Sequence, residues 1–364
     1  MIYFTVGLPG RFAEWCDAVI SYLAASRGGS VSIETWPSAA DMLAFQPLVP
    51  VLNHVALSLI ADNPDHLVMG IRQPNEQLRD ALVETEAAFI VALDDPRLAA
   101  AEVFVDTEAD PIAVTRAVAN SCATLLQFAT MPNALAVHAD QARRDPAGTV
   151  GAIAQRFGIA IGAADAAGIV ASVAEDDPAL ALQAPAEWTL DIPANAHRAV
   201  DGALGAYSRN FTGSGALGQI TWTRDLFIRM DEPDKRPTEP IDATGNARIL
   251  IYGPYLHLPA GSWNARVTLG FSPETARSSF WIDACYAGRQ IACATIQPDA
   301  GGIYTTDLFF SLEGHSGLGL ELRVAVGSDN VRGQLALGIV TLQPLSMRHF
   351  DNSGGEDYSS VLEL

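Results

Sequence analysis

Residues 6–16 read VGLPGRFAEWC, and their types and spacing bear on phosphate chemistry. An apolar run, Ile2 to Val6, leads into Gly7-Leu8-Pro9-Gly10, and a helical pattern follows. A loop of that layout turns backbone N–H groups toward an anion at a helix N-terminus. Glycines admit the close approach, a Lys or Arg neutralises charge, and Ser/Thr hydroxyls complete the cradle. Here the turn carries Arg11, Phe12 and Glu14 where small and hydroxyl residues are needed. A second candidate is Asp94-Asp95, which closes the apolar run AAFIVAL. An acidic pair at a strand end can hold a divalent cation on a diphosphate. The same residues ahead of Pro96 also make a helix N-cap, and that is the preferred reading.

The other chemistry-bearing cluster is YGPYLHLPAGSW, which concentrates Tyr252, Tyr255, His257 and Trp263. Aromatic rings on a sheet rim can stack on sugar rings, with Asn264, Asp283 and Arg289 as hydrogen-bonding partners. Core filling is the competing role, and it is the stronger one for Trp263. His138 ends a strand, a usual place for catalytic groups in parallel sheets, but a lone histidine there is more often structural, as are His54 and His66. There is no GxSxG, and Ser121 sits mid-helix, so no triad is expected. Cys16, Cys122, Cys285 and Cys293 show no CxxC spacing, which argues against zinc. Cys285 and Cys293 are placed to face one another across a hairpin, yet with no export signal all four are read as reduced and the chain as cytoplasmic. No catalytic residue, metal or cofactor is expected.

Those residues need elements to position them. The 364 residues are 49% hydrophobic and 18% charged, enough for two domains with their own cores. IYFTV (2–6), SVSIE (30–34), HLVMGI (66–71), AAFIVAL (87–93) and ALAVHA (134–139) are runs suited to strands buried on both faces. Helical patterns lie between them at 11–27, 38–62, 75–84, 111–128 and 146–157. The alternation implies a mainly parallel sheet flanked by helices over residues 1–160. Residues 161–218 are Ala- and Gly-rich, and read as a connecting region with a short helix at 197–208. From 219 to 345 the period changes to two. WNARVTLGF puts Trp263, Ala265, Val267, Leu269 and Phe271 on one face. Eight such segments, from QITWTRDLFI to QLALGIVTL, indicate an antiparallel jelly-roll-like β-sandwich. Residues 346–364 read as a mobile acidic tail, a frayed end in preference to a docking tag.

The net charge is −20 and Lys235 is the only lysine, so a duplex-binding surface is not expected. No run of about 18 apolar residues occurs, so no membrane insertion is expected.

The opening loop resembles that of the sulfotransferases that use 3′-phosphoadenylyl sulfate. Gly7, Leu8, Pro9 and Trp15 match that family's loop, while its basic residue becomes Gly10, its serine Arg11, its glycine Phe12 and its two threonines Ala13 and Glu14. AAFIVALDDPRLAAAEVF resembles a second family stretch, in which Asp95, Pro96 and Arg97 match. The family's phosphate-holding arginine is Asp94 here, and its serine falls at Glu102. HADQARRDPAGTVGAIAQRFGI resembles a late helix of the same domain. The resemblance covers residues 1–160 and implies a donor site in which Glu14, Asp94 and Glu102 have replaced phosphate contacts. A fixed negative charge about 4 Å from a phosphate costs about 1 kcal/mol in water and about 4 kcal/mol at intermediate dielectric. Each change also forfeits a charge-assisted hydrogen bond of about 1.5–3 kcal/mol. YGPYLHLPAGSW in turn resembles a recurring bacterial β-sandwich segment.

The expected function is therefore a non-catalytic binding or scaffolding protein. A pseudo-sulfotransferase half is joined to a sandwich that recognises a glycan or a protein partner, and homo-oligomers are among the expected assemblies. The alternative is a sulfotransferase or glycosyltransferase with an altered donor site acting on a polysaccharide.

Overall fold

Near-continuous apolar runs rich in Val, Ile and Phe pair side by side when helices cover both faces of a sheet. β1 (Ile2–Gly7), β3 (His66–Ile71) and β4 (Phe89–Leu93) do so here, while β2 (Val31–Trp36) and β5 (Ala134–His138), expected to be buried on both faces, flank them as partly exposed edge strands, in the order β2-β3-β1-β4-β5 with every pair parallel. The computed structural model describes residues 1–37, 64–182, 192, 194–213, 215–313 and 319–347. The helix expected over 38–62, with His54, lies outside the described residues.

Helix α1 (Arg11–Ala25) buries Phe12, Trp15, Cys16, Val19, Ile20 and Leu23, a stripe at helical spacing. α2 (Glu76–Glu84) is capped by Asn75, whose side chain accepts from Leu78 N at 2.9 Å. α3 (Pro96–Thr107), α4 (Pro111–Ala129) and α6 (Pro146–Arg156) each begin Asp-Pro. The Asp side chain accepts a first-turn N–H, and Pro stands where no donor is needed. α5 (Ala139–Arg144) follows β5 directly.

The segment read as a connecting region carries two α-helices. α7 (Ala163–Asp176) packs Ala166 and Val173 with α1 and α6. α8 (Ala194–Phe211) extends beyond the short helix expected and buries Leu204, Tyr207 and Phe211 against α3 and α4.

The second half is a β-sandwich. One sheet runs β13 (Gly302–Leu312), β10 (Gly261–Phe271), β15 (Gln334–Met347), β6 (Ile220–Thr223), with β8 (Ile241–Asp242) on β15. The other runs β12 (Arg289–Ile296), β11 (Phe280–Tyr286), β14 (Leu320–Val326), β9 (Arg248–Leu256), β7 (Ile228–Arg229). Trp263, Ala265, Val267, Leu269 and Phe271 face the core, as their alternation requires. QITWTRDLFI is not one strand: a 3-10 turn, Arg224–Leu226, divides it, and β6 and β7 join different sheets. Burial of Leu226 and Phe227 fixes that corner. Cys285 does not face Cys293: Cys293 lies opposite Asp283, and Cys285 lies opposite Gln290 beyond a bulge. All four cysteines are free. β15 continues to Met347, and the rest of the acidic tail lies outside the described residues.

One hydrophobic cluster runs through both halves, from Phe89 and Val118 through Leu204 and Tyr207 to Trp222, Leu250 and Trp263. α8 makes the join by lying against β6. At Gly202 a Cβ would come within 2.5 Å of Thr221 O, so the contact needs a residue without one. Among the described residues no helix is long and apolar enough to cross a membrane.

Candidate functional site

The order β2-β3-β1-β4-β5 reverses direction at β1, and the crevice at such a switch point is where parallel sheets place ligands. A cleft of about 220 Å³ lies there, between the loop Leu8–Ala13, the start of α3, Arg143 of α5 and the strap Pro178–Leu182. All of the expected donor-site residues except Glu14 and Arg97 line it; Glu14 is exposed beside it.

The first turn of α1 holds a carboxylate of the chain itself. Glu102 Oε2 accepts the backbone N–H of Arg11 at 3.1 Å, and Oε1 lies 3.9 Å from Arg11 Nε. Gly10 has φ 143° and caps α1 with no side chain, and a Cβ there would lie 2.9 Å from Glu102 Oε2. The carboxylate thus reaches the first turn of α1 from 91 positions away in the chain. Burial, and then the charge of Glu14, push Glu102 up to about 7.

The other charges of the cleft hold one another. Arg143 Nη2 donates to Asp94 Oδ2 at 2.9 Å, and Asp94 Oδ1 accepts the Asp95 N–H at 2.8 Å. Burial raises Asp94 despite that arginine. Asp95 caps α3 and takes the guanidinium of Arg97, which also donates to Asp201 at 2.8 Å and Ser208 at 3.3 Å. Burial works against the Asp95 carboxylate, but its bonds to Arg97 and Ser208 hold its pKa below the usual value. Among the described residues no three His, Cys, Asp or Glu side chains are placed to share a metal ion. Between α1 and β3, Asp17 pairs with Arg72, both nearly inaccessible, and Asp17 is raised chiefly by burial.

The six residues singled out in the second half fall in different places. Tyr252 and Tyr255 meet on β9, ring centroids 6.2 Å apart at 72°. Tyr255 has φ 62° and donates its hydroxyl to Glu321 Oε1 at 2.7 Å. His257 is buried after β9, its carbonyl 3.5 Å from the Tyr207 hydroxyl of α8. Asn264 lies on the outer face of the other sheet and donates to Asp307 at 3.2 Å. Asp283 is wholly buried and takes Arg323 through two bonds of 2.8 and 2.5 Å. Arg289 is exposed where β12 begins.

Two residues near the tyrosines went unselected. Glu321 stands on the polar face of LELRVAVG and was legible there as an acid opposite the core. Arg116 of α4 donates from Nε to Pro254 O at 2.8 Å and from Nη2 to Leu226 O at 3.2 Å. Burial, then the charge of Arg236, lower its pKa. Nothing local in the sequence signals a contact spanning 138 positions.

Fold and cleft define an α/β domain followed by a β-sandwich. No protein-family model and no curated protein matches the sequence. Among solved structures, mouse sulfotransferase SULT7A1 complexed with PAP is similar over 55% of this chain and 80% of its own, at 14% identity and TM-score 0.40. The C-terminal CBM6 of LamC, a laminarinase of Zobellia galactanivorans, is similar over 34% of this chain and 98% of its own, at 11% identity and TM-score 0.23. TmCBM61 in complex with β-1,4-galactotriose is similar over 35% and 88%, at 9% identity and TM-score 0.22. At such identities the likeness is one of fold alone.

Proposed function

We propose that this chain is a non-catalytic binding protein. Its α/β half is a transferase-like platform whose donor cleft is closed by its own side chains, and its sandwich recognises a glycan. The observation that carries the first part is Glu102 on the Arg11 N–H. A donor phosphate seated at α1 would have to displace that carboxylate and then lie beside it, with Asp94 and Asp95 along the same wall. At 4 Å an ionised, unpaired carboxylate opposes a phosphate charge by about 1–4 kcal/mol, depending on dielectric, and Glu102 is ionised above about pH 7. A nucleotide of micromolar affinity has about 8 kcal/mol in all. Arg143 does not reverse the balance, because Asp94 and Asp140 hold it; the exposed Arg11 side chain lies 3.9 Å from Glu102.

Calorimetric titration of 3′-phosphoadenosine 5′-phosphate and a panel of nucleotide sugars tests this reading. No heat of binding up to millimolar nucleotide is the expected result; micromolar binding of either class would overturn it. One observation favours a second reading, a transferase with an altered donor: the cleft remains open enough, at about 220 Å³, to admit a small group. Binding of a nucleotide sugar in the same panel would select that reading.

A further inference from the structure

We infer that the rim where β9 meets α4 is a saccharide-binding site built from both halves of the chain: Tyr252, Tyr255 and Glu321 from the sandwich and Arg116 from the α/β half. The inference rests on the glycan reading of the sandwich and gives it an address.

The backbone is shaped around an exposed ring. Tyr255 sits at φ 62°, a region that a bulky residue without hydrogen-bonding reach to its own backbone rarely occupies. The residue stays 37% exposed, so burial does not account for the conformation. The start of the neighbouring strand accommodates it: at Gly319 a Cβ would lie 2.2 Å from the Tyr255 carbonyl oxygen. The result is a pair of tyrosine rings at 72°, one a floor and the other a wall.

Hydrogen-bonding groups flank the pair. Glu321 uses Oε1 for the Tyr255 hydroxyl, and among the described residues its Oε2 accepts no hydrogen bond. Arg116 uses Nε and Nη2 on the carbonyls of Pro254 and Leu226, and among the described residues its Nη1 donates none. Those two carbonyl contacts hold the guanidinium at the rim. Arg236, paired with Asp110 at 3.7 Å, adds one charge of each sign. Two arginines and two carboxylates balance, so the rim favours an uncharged ligand.

Ring faces for C–H groups, a carboxylate for hydroxyl donors and a guanidinium for hydroxyl acceptors together suit a neutral sugar. β9 is paired on both sides, by β14 and β7, only at Ile251 and Tyr252, so a peptide strand cannot add to it beside Tyr252.

The test is calorimetry of the full chain with neutral hexasaccharides of glucose, galactose, mannose and xylose. At least one is expected to bind in the micromolar range. Tyr252→Ala and Tyr255→Asn should each weaken it tenfold or more; Asn is chosen because it tolerates the left-handed backbone. Arg116→Gln and Glu321→Gln should weaken it several-fold, and Thr305→Ala, on the far sheet, should not change it. Circular dichroism and melting temperature establish that each variant is folded. A hexasaccharide bound equally well by both tyrosine variants overturns the site and leaves the glycan reading standing. Failure of every hexasaccharide to bind the unaltered chain overturns both. Neither outcome bears on the nucleotide titration.

Discussion

The cleft of the α/β half and the tyrosine rim at the junction both gather acids and arginines, and they differ in what those groups already hold. In the cleft, Glu102 holds the Arg11 N–H and Arg143 holds Asp94, while Arg97, outside the lining, joins Asp95 to Asp201. At the rim, one oxygen of Glu321 and one nitrogen of Arg116 have no hydrogen bond among the described residues. The polar groups of the cleft are thus largely paired with one another, while those of the rim keep atoms without a partner among the described residues. Position in a fold indicates where to look, and the state of the polar atoms decides what can bind.

Substitutions of acids that differ in burial should break or sharpen that comparison. The largest effect is expected at the buried pair between α1 and the end of β3. Asp17→Ala leaves Arg72 buried and without its carboxylate, and should lower unfolding free energy by about 3–5 kcal/mol in chemical denaturation. Asp283→Ala should cost less, about 1–3 kcal/mol, because the Arg323 side chain is 26% exposed and regains water. Equal losses would mean that Arg323 is held as tightly as Arg72.

A smaller effect should follow pH. Glu102 binds its proton more tightly in the folded chain, at about 7 against an ordinary 4.5, so its contribution favours folding below 4.5 and is lost as pH rises through 7. Melting temperatures compared between the unaltered chain and Glu102→Gln should therefore diverge across that window. The unaltered chain should lose more stability than the variant as pH rises from about 4.5 to 7. A constant difference between the two proteins would show that the carboxyl titrates normally. The smallest effect belongs to the outer sheet face, where Asp307 pairs with Arg266 in water. Asp307→Ala should change stability by about 1 kcal/mol or less in the same denaturation assay.

How much of this could be read beforehand depended on distance along the chain. The central strands of the parallel sheet were legible because burial on both faces leaves uninterrupted apolar runs such as HLVMGI, whereas the edge strand VSIETW is largely half-buried or exposed. β10 was legible because one buried face leaves strict alternation. α7 was not, since AADAAGIVASVAED is small and apolar nearly all round and shows no clear stripe. QITWTRDLFI misled because a corner that keeps its residues buried looks like a continuing strand. Glu102 was placed near the loop by resemblance, but its bond to the Arg11 N–H exists only because parallel pairing of β1 with β4 brings α3 beside α1. Arg116 had no signal at all, because what it touches is set by how two halves dock.

That docking has a consequence for inheritance. With Gly202 pressed on Thr221 and one apolar cluster running from Phe89 to Trp263, neither half ends in a surface of its own. Cutting the gene at the boundary and grafting another partner would expose the flanks of α4 and α8 on one side and of β6 and β9 on the other. A graft that replaced one half would therefore have to supply the apolar cover that the other half now receives.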